Sequence, residues 1–201
     1  MINPTPLHIP LDRMALLGRN EAYYNTYLGP FPEKARIINV AAGVSHFPRA
    51  QIAIDPIYGQ PVSAIKAAGI EAIEALEKRL GDLIPEEVEY IKMLTESLDA
   101  FVKHCIVDKT QQCIEASLPW IETDEIKGDL VLCSHFIFTY DLGLYGTMAC
   151  IQNLMDIAPE GRIYPYCADQ IPAIAHFMPH LKFEPTPTYL KITHKTSCNY
   201  P

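Results

Sequence analysis

Ala41-Ala42-Gly43 and Asp55, twelve positions past that glycine, are the residues whose types and spacing could hold a ligand. The turn directly follows the apolar run ARIINV at 35–40. A ligand approaches a backbone closely only where side chains are small, and glycine also admits conformations closed to other residues. Asp55 ends a second apolar run, 51–54, because Pro56 disfavours helix at the residue before it. A carboxylate at that place can accept both hydroxyls of a ribose, as in nucleoside-binding sites. A structural turn and a solvated Asp-Pro step are the plain alternatives. The spacing is shorter than the roughly 20 residues of the dinucleotide fingerprint, so the helix between the two strands must be very short. The three-glycine turn of a nicotinamide site is missing, which disfavours a dehydrogenase.

Further candidates lie in Ser134, His135 and Tyr140. A histidine titrates near the working pH and can take a proton from a reacting group; alternatively His135 donates a hydrogen bond that fixes a strand-to-loop turn. Adjacent residues of one strand point to opposite faces, so Ser134 and His135 do not form a nucleophilic pair. His46 reads as a turn residue. Tyr23, Tyr24, Tyr58 and Tyr140 are candidates for an aromatic surround of a cation. Arg19 can hold a carboxylate through its planar fork. No P-loop lysine is present, and the histidines lack metal-ligand spacing. The six cysteines (Cys105, Cys113, Cys133, Cys150, Cys167, Cys198) are irregularly spaced, which suggests neither a zinc site nor a redox dithiol. Most lie in apolar segments, where a free thiol acts as a small hydrophobe. No metal is expected.

The elements that must position these residues alternate between strand-like and helix-like, the pattern of a doubly wound α/β sheet. Strands are expected at 35–40, 51–54, 112–116, 129–138 and 161–166, with an edge strand over 181–192 that tolerates Pro185 and Pro187. The run DLVLCSHFIF at 129–138 reads as a central strand. Residues 62–80 place Ile65, Ala68, Ile70, Ile73, Leu76 and Leu80 on one helical face, and Gly81 supplies the stop. A second helix over 86–104 starts after Pro85 with Glu86 and Glu87 in its first turn. Further helices are expected at 144–157 and 171–180. Residues 1–34, rich in Pro and Tyr, read as an extension or lid over the carboxyl ends of the strands, with the α/β domain spanning 35–201. Ligands of such sheets bind outside those carboxyl ends.

The string GVSHFPRAQIAIDPIYG resembles bacterial class I S-adenosylmethionine-dependent methyltransferase-like proteins, which carry a G-x-S-S-F turn and a V-D-P-I-Y second strand. The resemblance extends to IEASLP at 114–119 and to GDLVLCSHFIFTYD at 128–141, and covers roughly 19–166. It implies a Rossmann-like, mostly parallel, seven-stranded doubly wound sheet with an N-terminal helical extension, and S-adenosyl-L-methionine as cofactor. On that resemblance Asn39 and Gly43 line the methionine and ribose part, with Tyr24 and Ala41 counted among the cofactor residues. Asp55 takes the ribose hydroxyls, and Pro56, Ile57 and Tyr58 lie near the adenine. Ser117 and Leu118 meet the adenine edge, and Ser134 and His135 face the sulfonium and substrate. Asn39 stands where many such enzymes have an acidic residue, and His46 where a second serine is common.

The net charge of −8 repels phosphate backbones, so a small-molecule substrate is expected rather than nucleic acid. No apolar stretch reaches the roughly 20 residues that span a bilayer. No signal peptide is apparent, and a cytoplasmic location is expected. The oligomeric state is not readable. Three functions remain: a methyltransferase for a small molecule; a cyclase turning S-adenosylmethionine into azetidine-2-carboxylate and methylthioadenosine; and a binding module that has kept the fold without catalysis.

Overall fold

The computed structural model describes residues 17–81 and 83–195; residues 1–16 of the expected extension, and Cys198, lie outside them. The β-branched run at 35–40 forms β1 (Ile37–Val40), buried at every position. It pairs in parallel with β2 (Ala50–Ile54) on one side and β4 (Leu130–Ser134) on the other. Parallel strands β3 (Gln112–Ile114) and β5 (Glu160–Tyr164) extend the sheet outward from β2 and β4. Beyond β5 lies an antiparallel pair, β7 (Leu190–His194) next to β5 and β6 (Leu181–Pro185) at the edge. The order is β3-β2-β1-β4-β5-β7-β6. It reverses between β1 and β4, which opens a crevice at their carboxyl ends. This is a Rossmann-like class I methyltransferase fold.

Side chains alternate across the sheet and so define two covers. On one face Tyr24 and Leu28, from and just after α1 (Glu21–Tyr27), pack with Phe47 on Ile37, Leu130 and Leu132. Arg162 in β5 holds that cover down: its Nη1 donates to the carbonyls of Leu28 and Pro30, both at 2.6 Å, and its Nε to Glu160 Oε1 at 2.8 Å. Ile38, Val40, Ile52, Ile54, Val131 and Cys133 face the other way, into a core shared with α4 (Gly143–Ile157) and α5 (Ile171–Phe177). Between β2 and β3, α2 (Val62–Leu80) and α3 (Pro85–Phe101) form an antiparallel pair packed through Ile65, Ile73, Leu76, Leu94, Leu98 and Phe101. Gly69 allows the close approach, since a Cβ there would fall 2.9 Å from both Leu98 methyl carbons.

The structure departs from the sequence expectations where chain geometry overrides pattern. Residues 41–49 join β1 to β2 by turns with no helix, Val44 and Phe47 supplying the buried contacts. The strand expected over 129–138 stops at Ser134, because His135 takes a left-handed φ of 54° and Phe136–Tyr140 turn back at the rim. The single edge strand expected over 181–192 is a hairpin whose second arm inserts beside β5. The Thr186 hydroxyl builds the turn, donating to the Tyr189 carbonyl at 2.6 Å and accepting from its N–H at 2.9 Å. The 86–104 helix ends at Phe101 and continues as a π-helical turn over Val102–Val107. The last helix is shorter than 171–180, ending at Phe177.

Candidate functional site

A cavity of about 440 Å³ opens where β1, β2, β3 and β4 end. Its walls come from the residues after each strand: Val40–Gly43, Asp55–Ile57, Ala116–Leu118 and Ser134–Phe136, with Leu17, Arg19, Ser45, Gln60 and Tyr140 completing it. The size falls within the range of small-molecule sites, and the lining is mostly apolar with few polar groups, as such sites are. Two wall residues hold left-handed backbone without being glycine, Ala41 (φ 52°) and His135 (φ 54°), one after β1 and one after β4. Such conformations cost of order 1 kcal/mol or more each and persist where surrounding structure imposes them.

Asp55 anchors the β1–β2 side. It is only 3% exposed, and both carboxylate oxygens accept backbone N–H groups: Oδ2 from Gly43 at 2.9 Å, Oδ1 from Ile57 at 3.0 Å. Burial raises its pKa above the usual carboxylate value, while the Ile57 and Gly43 amides pull it down. An ionised carboxylate offers about four acceptor positions, so two remain for a ligand. The Tyr58 hydroxyl donates to the Gly43 carbonyl at 2.8 Å and its ring stacks on Phe101, with centroids 5.6 Å apart. The Gly43 turn is therefore fixed from both its N–H and its C=O.

Arg19 enters from the segment preceding α1 and is 6% exposed. Its backbone N–H donates to Ser45 Oγ at 2.8 Å, its Nη1 reaches the carbonyls of Leu17 and Gly18, and Nε is buried with no hydrogen-bond partner. The guanidinium carbon lies 5.3 Å from the Tyr23 ring centroid and 5.8 Å from that of Tyr90. No salt bridge joins it to a carboxylate among the described residues, where the Leu17 and Gly18 carbonyls, the Tyr23 hydroxyl and the aromatic rings surround its charge. A buried cation so placed favours an anionic ligand group.

At the end of β4, Ser134 and His135 both line the cavity, because the left-handed turn at His135 interrupts strand alternation. The expectation that they point to opposite faces is thus corrected, yet among the described residues no hydrogen bond joins them, and His135 Nε2 is hydrogen-bonded to the Tyr23 hydroxyl. The expectation that His135 titrates near neutral pH is also corrected. Burial, helped by the Arg19 charge, lowers its pKa to about 3, so the ring is neutral at working pH. Burial pushes the Tyr140 hydroxyl up, with the Asp55 charge adding to it, and the Tyr23 hydroxyl is raised further still by burial.

Of the residues read from the sequence, Arg19, Ala41, Gly43, Asp55, Pro56, Ile57, Ser117, Leu118, Ser134, His135 and Tyr140 come together on this one cavity. Asn39, Tyr24 and Tyr58 do not line it. Asn39 faces the opposite side of the sheet from Val40, fully buried, and its Nδ2 donates to Tyr24 Oη at 2.8 Å. Tyr24 is fully buried and stacks on Phe47 at 4.7 Å, and Tyr58 is spent on Gly43 and Phe101. The aromatic surround of four tyrosines therefore does not form; beside the His135 imidazole, Phe136 and Tyr140 supply the aromatic rings at the wall, 5.3 Å apart. His46 stacks on His104 at 4.5 Å, away from the cavity lining. Ser45 was missed, although the serine of the GVSHF turn was its signal. Ala42 lines the cavity as read from the small-residue turn, whereas Leu17, Val40, Gln60, Ala116 and Phe136 line it without having been named as site residues. Among the described residues no group of three or more metal-ligating side chains occurs.

Neither a protein-family model nor a curated protein matches the chain. Solved structures similar to it include the 16S rRNA methylase RmtB, with a TM-score of 0.38 at 13% identity, covering 87% of this chain and 61% of that one. A protein of Nostoc punctiforme PCC 73102 described as an O-methyltransferase has a TM-score of 0.37 at 14% identity, covering 87% of this chain and 54% of its own. The chain thus spans less than two thirds of either structure, and likenesses this distant carry neither protein's activity to it.

Proposed function

We propose that the chain is an S-adenosylmethionine-dependent methyltransferase acting on a small molecule. The observation that carries this reading is the Gly43 N–H to Asp55 Oδ2 bond in the wall of the cavity, which sets a small-residue turn beside a carboxylate with acceptor positions to spare. The residues present fit the cofactor in three respects. The wall at Ala41-Ala42-Gly43 admits close approach, Asp55 can take two ribose hydroxyls, and the orphaned Nε of Arg19 suits the carboxylate of an amino-acid moiety. Pro56 and Ile57 on one side, with Ser117 and Leu118 on the other, suit an adenine between apolar walls.

When bound, S-adenosylmethionine supplies a methyl group already activated by its sulfonium. The chain's own work is to bind, to orient donor and acceptor in line, and to exclude water. His135, neutral and tied to Tyr23, serves in this reading as a fixed wall beside Ser134 rather than as a proton acceptor. The net charge of −8 supports a small acceptor over a nucleic acid. No helix among the described residues is long and apolar enough to cross a membrane.

Incubation with S-adenosylmethionine, with and without a small-molecule extract, tests the reading by mass analysis of products. Extract-dependent S-adenosylhomocysteine and a methylated small molecule are expected. Methylthioadenosine formed without an acceptor would instead establish the cyclase. Transfer to RNA would overturn the small-molecule part, and absence of any product together with absence of nucleoside binding would leave a module of other function.

A further inference from the structure

We infer that Cys105 and Cys113 are a site of reversible oxidation, closed to a disulfide by hydrogen peroxide, because the fold brings both sulfurs onto Gln111. The inference goes beyond the proposed function and does not rest on it.

The spacing of the two cysteines carries no signal in the sequence; the fold makes them neighbours. Cys105 lies on the π-helical turn Val102–Val107, and Cys113 is the middle residue of the edge strand β3. Between them the chain reverses through Lys109, at φ 50°, and Thr110, whose N–H and Oγ1 donate to the His104 carbonyl at 2.8 and 3.0 Å. Buried Gln111 fixes the return, its Nε2 donating to the Ala50 carbonyl at 2.7 Å and to the Phe47 carbonyl at 3.3 Å. On that anchor Cys105 Sγ lies 3.2 Å from Gln111 Oε1, and Cys113 Sγ lies 4.0 Å from the Gln111 carbonyl oxygen. The two free thiols also hydrogen-bond to each other and pack in one apolar cluster. Both lie near Tyr58, whose hydroxyl holds the Gly43 carbonyl, so the pair stands one side chain from the cavity wall.

The surroundings of the two sulfurs differ and give each a role. Cys105 is 5% exposed, whereas Cys113 is half-buried on the strand at the sheet edge, within reach of a small oxidant. The hydrogen bond from Cys105 holds Cys113 below the usual thiol value, against the effect of burial, and raises Cys105 above it. The thiolate is the form that reacts with peroxide, so Cys113 reacts first. Its sulfur bonds to one oxygen of hydrogen peroxide as the O–O bond breaks and hydroxide leaves, giving a sulfenic acid and, after protonation, water. Cys105 then attacks that sulfur. The S–O bond breaks with its electron pair on oxygen, and the hydroxyl leaves as water with the Cys105 proton. Two thiols and one hydrogen peroxide give one disulfide and two waters, two electrons passing from sulfur to peroxide. Sulfurs already in hydrogen-bonding reach have only to close to the roughly 2 Å of a disulfide. Cys133 and Cys150, 0% and 2% exposed, are packed into the main core instead.

The test treats the full reduced chain with hydrogen peroxide near neutral pH, traps the remaining thiols with N-ethylmaleimide in acid, and analyses a tryptic digest by mass. Lys109 lies between the two cysteines, so trypsin releases them on separate peptides, 104–109 and 110–127. Expected is one cross-linked pair of those peptides within a single chain, two hydrogens lighter than their sum and separated by dithiothreitol. Cys105→Ser should stop at a sulfenic acid on Cys113, captured by dimedone. Cys105→Ala, which removes the hydrogen-bond donor, should slow alkylation of Cys113 by iodoacetamide by roughly 5-fold. No cross-link, a cross-link between other cysteines or between chains, or a wild-type Cys113 that proceeds to sulfinic acid overturns the inference. So does unchanged alkylation in folded Cys105→Ala; should either variant fail to fold, the wild-type cross-link alone decides.

Discussion

The backbone N–H of Gly43 donates to Asp55 Oδ2 at 2.9 Å, so the turn after β1 and the end of β2 form one hydrogen-bonded unit in the cavity wall. The second oxygen of Asp55 caps the short 3-10 turn Pro56–Gly59 through Ile57. One buried carboxylate thus shapes two walls before any ligand arrives.

Removing that carboxylate should be felt in stability as well as in binding. Asp55→Ala leaves two backbone N–H groups without their acceptor, at about 1–3 kcal/mol for each that stays buried. Part is returned, because burial raises the Asp55 pKa: the ionised form detracts from stability once pH rises through the folded-state value. A net loss of about 2 kcal/mol is expected, read as a lower urea midpoint at unchanged slope. A midpoint equal to wild type would show that Asp55 does not hold these turns.

Arg19 is expected to matter only to ligands that carry a carboxylate. Arg19→Met should weaken S-adenosylhomocysteine binding by roughly 10- to 100-fold, the worth of about 1.5–3 kcal/mol for a hydrogen bond to a charged group. Methylthioadenosine, which lacks the amino-acid end, should bind both proteins alike. Equal losses for the two ligands in calorimetry would assign Arg19 to folding alone.

His135 predicts a pH dependence with a definite sign. Its folded pKa of about 3 lies below the ordinary 6.5, so the unfolded chain takes up the proton first as pH falls. The stability this histidine contributes is complete above about pH 6.5 and is lost toward pH 3, at about 1.4 kcal/mol per pH unit. His135→Asn keeps a residue that tolerates the left-handed backbone and removes the titration. Denaturation curves of the two proteins should therefore run parallel above pH 6.5 and diverge below it. Parallel curves down to pH 4 would contradict the burial of this ring.

Ala41 holds φ 52° at the cavity wall. Left-handed backbone costs an L-residue about 1–2 kcal/mol, and glycine gives back about 0.5–1 through its freer unfolded chain. Ala41→Gly should raise stability by roughly 0.5 kcal/mol in thermal or urea unfolding. A clear loss would mean that the methyl group makes contacts worth more than the strain.

Much of the sheet was legible because its physics is local. The helix over Val62–Leu80 matches its expected bounds and its glycine stop, although Ile70, expected on its buried face, is 43% exposed while Gly69 and Ala72 are buried there. The turn-plus-aspartate pair at Gly43 and Asp55 falls on the cavity at the carboxyl ends of the strands. The misses have particular causes. The apolar run after Cys133 continues through Phe136, Ile137 and Phe138 and hides the point where His135 turns the chain left-handed. The hairpin at 186–189 has no glycine and relies on the Thr186 hydroxyl, so it read as one strand. Asn39 alternates with Val40 and therefore faces Tyr24 rather than the cavity, a consequence of the strand's two-residue period that motif resemblance overrode. Burial of Arg19 and the shift of His135 depend on residues distant in the chain, which no spacing could reveal.

Calorimetric titration of the wild-type chain with S-adenosylhomocysteine tests the central claim most directly. A saturable isotherm with one site per chain and a Kd on the order of 10 μM, about −7 kcal/mol, is the predicted result. No heat, and no rise in unfolding temperature at ligand concentrations near 1 mM, would mean that the cavity lined by Gly43 and Asp55 is not an adenosyl site.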